Sequence, residues 1–204
     1  LDEMQAGTDE DERAAEGLTK SFPDLAVAMG GHITKHWEQK QLDILDRVAS
    51  LREAHEDTYG IGFPALKLIE GKKLGSHDYE IQIFGTRYAH ARLEVDMMLA
   101  IHSDEVKHPI QGIETRDPTY GLPAVWVSEE RAQEAREAGY TLVDPITVFL
   151  THLGEVLTRE APTLLTRTKV TALLEDVRSR QAGLIEELVP TLLAVADIQH
   201  VLQN

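Results

Sequence analysis

The chain contains no cysteine among its 204 residues. Disulfides and thiolate metal sites are therefore excluded. Aromatic residues are scarce, at 5%, so a core has to be built mainly from aliphatic side chains. Basic residues are outnumbered: 20 Lys and Arg face 35 Asp and Glu, for a formal net charge of -15. Such a chain lacks the basic footprint that nucleic-acid binding needs, and the same charge disfavours docking on anionic lipid. No apolar run approaches bilayer-spanning length, and no signal-peptide pattern is visible. A phosphate loop is missing too. Gly60-Ile61-Gly62 has no third glycine and runs into Phe63-Pro64, which does not open a helix cleanly, so it reads as a turn.

What is present suffices for a globular protein. Hydrophobic residues make up 42%, enough for a packed core. The length suits one large domain or two to three small ones. The acid is uneven: residues 1–16 hold seven acids and one base, the pattern of a solvated linker. An acidic docking site for a basic partner is the other reading of that block.

After the linker, Phe22 to Met29 reads as a strand and Gly30-Gly31 as a turn. Gln39 to Tyr59 reads as a helix whose apolar face carries Leu42, Leu45, Val48 and Leu51. Gly60 suits the left-handed position that ends it. Strands are expected at 65–69, 79–83 and 95–101, followed by a polar loop over 102–114. Val125 to Val127 is a short strand. Ser128 reads as a helix N-cap with Glu129 and Glu130 in the first turn, and Gly139 closes that helix. A strand at 140–143 leads to Asp144-Pro145, an N-cap followed by proline at the first helical position. The helix so opened carries Ile146, Phe149, Leu150, Leu153 and Leu157 on one face. From there the pattern is helical, with helices at 169–178, 184–188 and 194–204. The last of these has a stripe of Val195, Ile198, Val201 and Leu202 and no terminating cap, as an excised fragment would show. The expected fold class is α+β: small α/β subdomains followed by an all-α subdomain.

Catalytic and metal signals are weak. His32 and His36 have the i, i+4 spacing of a helical metal pair, but no Glu follows His32 as a zincin motif needs, and Gly30-Gly31 argues against a helix there. Scattered surface histidines are the expectation, with no metal and no cofactor. His152 reads as a partly buried, hydrogen-bonded side chain. Its alternative is a general base in an acidic hydrolase or transferase, paired with Asp144 or Glu155. No Ser or Cys sits in a strained elbow, so no nucleophile–His–acid set can be assembled. Asp117-Pro118 through Gly121 has the composition of a turn. It is either only a turn, or a turn displaying Tyr120 and Leu122 as an apolar recognition surface.

Three runs carry a family resemblance: Thr115-Arg116-Asp117-Pro118-Thr119-Tyr120-Gly121-Leu122-Pro123, Gly139-Tyr140-Thr141-Leu142-Val143-Asp144-Pro145, and Glu186-Glu187-Leu188-Val189-Pro190. With the ending Ile198 to Asn204, they resemble the cytoplasmic domain of the flagellar type III secretion export-gate protein, the FlhA/SctV family. The resemblance is densest from Gly112 to Asn204 and looser back to Arg47. It implies a docking platform without catalytic activity, belonging to a bacterial inner-membrane protein. Its implied partners are export chaperone–substrate complexes, the export ATPase complex and other gate membrane proteins. It also implies a nonameric ring in the full-length protein, although this stretch alone is expected to be monomeric. A virulence-type injectisome is the alternative setting.

By the same resemblance, residues 1–20 are the linker from the membrane region. Residues 21–93 plus 145–163 form a first subdomain, 94–144 an inserted one, and 164–204 the start of a helical one. The implied chaperone site is an apolar dimple made by Ile101, Asp117, Tyr120, Leu122 and Thr151. The chain departs from the family pattern in three places: His102-Ser103 where members usually have Pro, Arg92 to Met98, and the strand end Leu68-Ile69-Glu70-Gly71. These bear on the rim of the site and so on the choice of partner.

Overall fold

A computed structural model describes residues 22–103, 105–190 and 192–203. The expected linker, residues 1–20, and the helix end at Asn204 lie outside the described residues. The fold is α+β, as the sequence pattern implies, and consists of two four-stranded sheets and a set of helices.

The first sheet has the order β2-β1-β3-β4, with β1 (Leu25–Met29), β2 (Leu66–Glu70), β3 (Asp78–Ile83) and β4 (Thr86–Arg92). Strands β1 and β2 are parallel, so the chain must cross over between them. Helices α1 (Gly31–Trp37) and α2 (Gln41–Tyr59) make that crossover. β1 is buried along its whole length and reads as an apolar run, whereas β3 alternates buried and half-buried residues. Their antiparallel register sets Val27 opposite Ile81 and Met29 opposite Tyr79. All four side chains enter the main core. Each such burial contributes about 1.5–3 kcal/mol relative to exposure.

Three local expectations for this half are corrected. Gly30-Gly31 is not a turn: Gly31 opens α1, so His32 and His36 do share a helix. Glycine at position 30 answers a close approach instead, because a Cβ there would stand 2.0 Å from the Gly75 carbonyl oxygen. In α2 the buried residues are Ile44 and Val48, with Leu51 packed beside them, while Leu42 is 79% exposed and Leu45 also faces solvent. The i, i+4, i+7 row follows the 3.6-residue turn, and a strict three-residue repeat drifts off it. Strand β4 was not anticipated. Phe84 (φ 49°) and Gly85 (φ 75°) form a two-residue loop with both φ positive, closing a tight hairpin onto β3.

The second sheet has the order β6-β7-β5-β8 and is antiparallel throughout. Its strands are β5 (Met98–Ile101), β6 (Ile113–Arg116), β7 (Pro123–Val127) and β8 (Thr141–Val143). The period of two divides its faces. Leu99, Ala124 and Trp126 join the main core, while Ala100, Val125 and Val127 pack with Ala135, Ala138 and Tyr140 on the other side. The expected loop over 102–114 therefore ends early, because β6 starts at Ile113. Ser128 has the extended backbone of a cap but makes no side-chain capping bond; a 3-10 turn, Glu129–Arg131, precedes α3 (Ala132–Glu137).

Helix α4 (Pro145–Arg159) ties the halves together. Asp144 caps it by accepting from the Thr147 N–H at 3.0 Å. Ile146, Phe149, Leu153 and Leu157 are buried, as the pattern predicted. These side chains lie in the same core as β1, β3 and the inner face of the second sheet. Helices α5 (Ala161–Leu164), α6 (Arg167–Arg180), α7 (Ala182–Leu188) and α8 (Val195–Gln203) follow. The expected apolar stripe of α8 is not buried: Val201 is 73% exposed and Leu202 is also open. The helix is held instead by polar bonds, Gln199 and Gln203 donating to the Leu165 carbonyl at 3.2 and 3.1 Å.

Candidate functional site

The candidate site centres on the loop that joins β6 to β7. Arg116 pairs with Pro123 across the ladder, leaving residues 117–122 as the connection. Four hydrogen bonds hold it. The Asp117 N–H donates to the Leu122 carbonyl at 2.8 Å, and the Gly121 N–H to the Asp117 carbonyl at 2.9 Å. The Tyr120 N–H donates to Asp117 Oδ2 at 2.7 Å, and the Arg116 guanidinium donates to the Gly121 carbonyl at 2.8 Å. Gly121 has φ 69°, the left-handed region that favours glycine. Asp117 at the first position and Pro118 at the second suit the turn chemically.

This bonding decides where the side chains go. Asp117 is 6% exposed, whereas Tyr120 is 67% and Leu122 44% exposed. Asp117 therefore acts as the strut of the loop, and Tyr120 and Leu122 are its presented surface. A loop so pinned loses little conformational entropy when a partner seats on it.

Ile101 lies at the same end of the sheet. It is opposite Ala124, which is opposite Thr115 on the next strand, and the His102 N–H donates to the Pro123 carbonyl at 2.9 Å. Ile101 is half-buried and packs against the main core. Thr151 is exposed on α4, and its hydroxyl donates to the Thr147 carbonyl at 2.8 Å, leaving the oxygen's lone pairs for a ligand. The structure thus gathers Asp117, Tyr120 and Leu122 in one loop and sets Ile101 at the same end of the sheet. Thr151 stands on another element, next in sequence to His152.

The link between loop and helix runs through a buried pair. The Tyr79 hydroxyl and His152 Nδ1 are 2.6 Å apart. Burial, then the Asp117 charge, pushes the Tyr79 phenol up. Burial pushes His152 below its ordinary value, against the pull of Asp117 and with help from Arg159. Both shifts favour a neutral pair at pH 7. His152 spends one ring nitrogen on this bond, and Asp144, its suggested acid partner, spends its carboxylate on the Thr147 hydroxyl and N–H. Sequence reasoning identified His152 as a buried, hydrogen-bonded side chain but had no signal for its partner, which lies 73 residues away. Among the described residues, no group of three or more His, Cys, Asp or Glu is placed to hold a metal ion, and no helix is long and apolar enough to cross a membrane.

The fold is similar to that of the Chlamydia pneumoniae CdsV protein, with a TM-score of 0.73 and 18% identity over 89% of this chain and 58% of that one. CdsV has also been solved in complex with CdsO. The nonameric EscV cytosolic domain from the type III secretion system aligns at a TM-score of 0.57 and 15% identity, covering 90% of this chain and 52% of that one. Two small sheets sharing one core through a capped helix thus match the fold of these solved structures.

Sequence comparison is narrower. The chain is 35% identical over 160 residues to the flagellar biosynthesis protein FlhA of Bacillus subtilis, covering 78% of this chain and 24% of that protein. It is 30% identical over 210 residues to FlhA of Treponema pallidum, covering 99% of this chain and 30% of that protein. It spans 24–30% of the length of these relatives. The FHIPEP family profile matches residues 2–204, and the chain belongs to the FHIPEP family.

Proposed function

We propose that the chain is part of the cytoplasmic docking platform of a flagellar type III export gate, and that the loop 117–122 is where export chaperone–substrate complexes seat. The observation that carries the site is the loop itself, an Asp117-pinned turn with exposed Tyr120 and Leu122 at its tip. Ile101 would form the apolar floor and Thr151 a polar rim. Aromatic anchors on rigid supports dominate binding energy at interfaces, and an amphipathic helix or apolar segment of a chaperone fits such a surface. Identities of 30–35% to flagellar proteins favour the flagellar setting over an injectisome.

The platform needs no catalysis. The neutral, mutually bonded Tyr79–His152 pair supports a structural role for His152, and the reading assigns the chain no enzymatic activity. Within it, residues 21–93 plus 145–163 are a first subdomain, residues 94–144 an inserted one and residues 164–204 part of a helical one, in a subunit of an inner-membrane protein that assembles as a nonameric ring. The export ATPase complex and the other gate membrane proteins are its further partners. A photo-crosslinking residue placed at Tyr120 tests the site against a chaperone–substrate complex from the same source. Crosslinking from position 120, and none from the still more exposed Leu42 on α2, is expected. Equal yield from both positions, or none from 120, would remove the loop from the interface.

A further inference from the structure

The first sheet ends on one side at β2, which pairs with β1 and with no other strand among the described residues. The ladder fixes what its outer edge presents. The Gly71 N–H donates to the Met29 carbonyl at 2.8 Å, so Gly71 turns its backbone toward β1. Residues along a strand alternate in this respect, so Lys67 and Ile69 also turn theirs toward β1. Leu66, Leu68 and Glu70 therefore turn their N–H and C=O groups outward. Among the described residues no hydrogen bond takes up these groups. An open edge of this kind is a template for a further strand.

The side chains give the edge two different faces. Leu66 and Leu68 pack against the main core, the side on which Trp37, Ile44 and Val48 of α1 and α2 are buried. Beside them a hollow of about 140 Å³ opens between Thr34, Trp37 and Gln41 on the helices and Leu68, Ile69 and Glu70 on β2. It has room for one aliphatic side chain. The other face of β2 carries Lys67 and Ile69, both exposed. Lys72 and Lys73 follow in the loop to β3 and are exposed as well. Among the described residues none of these three lysines has an ion-pair partner. Glu70 is the one acid in 65–75, and it shares the face of Leu66 and Leu68. In a chain of net charge -15, this segment is a local basic exception.

Lysine at an edge keeps two like edges apart, whereas an acidic strand meets complementary charge there. We propose that β2 is a docking edge for an extended protein segment in which aliphatic and acidic residues alternate. The segment adds as a further strand to the four-stranded sheet, its backbone bonded to Leu66, Leu68 and Glu70. One aliphatic side chain enters the hollow beside Trp37, and the acidic side chains face Lys67 and the Lys72–Lys73 loop. Main-chain bonds supply affinity, and the alternation supplies specificity. This edge shares no residue with the 117–122 loop, so it stands whether or not that loop receives chaperones.

Fluorescence-anisotropy titration of the 204-residue chain with the labelled heptapeptide Glu-Val-Glu-Val-Glu-Val-Glu tests this. The controls are its neutral glutamine counterpart and two N-methylated forms of the acidic peptide, each blocking one set of alternate amides. The acidic peptide is expected to bind about tenfold or more tightly than the glutamine peptide. One N-methylated form should keep the affinity and the other lose about tenfold or more, because only alternate amides of an added strand face β2. Glu70→Pro removes one outward N–H and leaves the Gly71 bond to β1 in place, as proline at a strand edge allows. It should weaken the acidic peptide by about tenfold. Equal binding of the two N-methylated forms, equal binding of the acidic and glutamine peptides, or no binding of the acidic peptide would overturn the proposal. So would a dimer of the unaltered chain that Glu70→Pro dissociates, since a second copy would then hold the edge. The four peptides on the unaltered chain decide the matter even if Glu70→Pro folds poorly.

Discussion

Replacing Asp117 with alanine separates the strut of the loop from its displayed tip. Three effects act together. The substitution removes the bond from the Tyr120 N–H to Oδ2; a bond to a charged group contributes about 1.5–3 kcal/mol. It also removes a buried carboxylate, whose desolvation offsets part of that gain. Finally, it frees the Tyr120 N–H, but Tyr120 is 67% exposed, so water can replace the lost acceptor. The last two effects place the net cost near the low end, about 1–2 kcal/mol. For a chain of this size that is a drop of about 2–4 °C in Tm per kcal/mol. Asp117→Asn keeps an acceptor oxygen and should cost less than half as much. Urea denaturation of the three proteins measures the difference directly. An Asp117→Ala chain as stable as the parent, or Asp117→Asn as damaging as Asp117→Ala, would refute the account of Asp117 as the strut.

Three further predictions concern Asp144, Tyr79 and His152. Asp144→Ala removes the cap of α4 and should cost about 1 kcal/mol at pH 7. Burial raises the Asp144 pKa, but the Thr147 hydroxyl and N–H, Arg47 and the Ile146 N–H outweigh it, so its folded value is low. Its contribution is present above the ordinary carboxylate value of about 3.9 and lost as pH falls through the folded value, so the gap between parent and variant should close in acid. Tyr79→Phe leaves His152 Nδ1 buried without its hydrogen-bond partner and should cost about 1–3 kcal/mol, read by thermal melting. Because the folded His152 pKa is lowered, its contribution is full above about pH 6.5 and declines as pH falls from there; His152→Gln should flatten that slope, and an unchanged slope would contradict a buried neutral histidine.

Much of the fold was legible because local chemistry and packing agreed. Asp144-Pro145 announces α4, the positive-φ glycines at 60 and 139 end two helices, and the alternation in β3 survives because one face is buried. The misses have specific physical causes. β4 and β6 carry exposed polar residues, so no period of two stands out, and only their pairing partners make them strands. Leu42 and Leu45 are apolar but stay in solvent, which composition cannot foretell. Gly30 answers a neighbouring backbone brought in by tertiary structure.

Of the candidate site, the turn at 117–122 was legible from its own residues. The burial of Asp117 and its electrostatic link to Tyr79 and His152 depend on distant segments. The open edge of β2 likewise depends on which strands pair, and no local motif marks it.

The central claim is that the Tyr120 tip, held by Asp117, receives chaperone–substrate complexes. Titration calorimetry of this chain against such a complex from the same source, repeated with Tyr120→Ala, tests it most directly. Tyr120 is exposed and makes no side-chain bond that supports the loop in this account, so the variant should keep the parent's Tm. The account predicts binding that weakens by about 1–3 kcal/mol in the variant. Unchanged affinity in a folded Tyr120→Ala chain, or no binding by the parent, would contradict it.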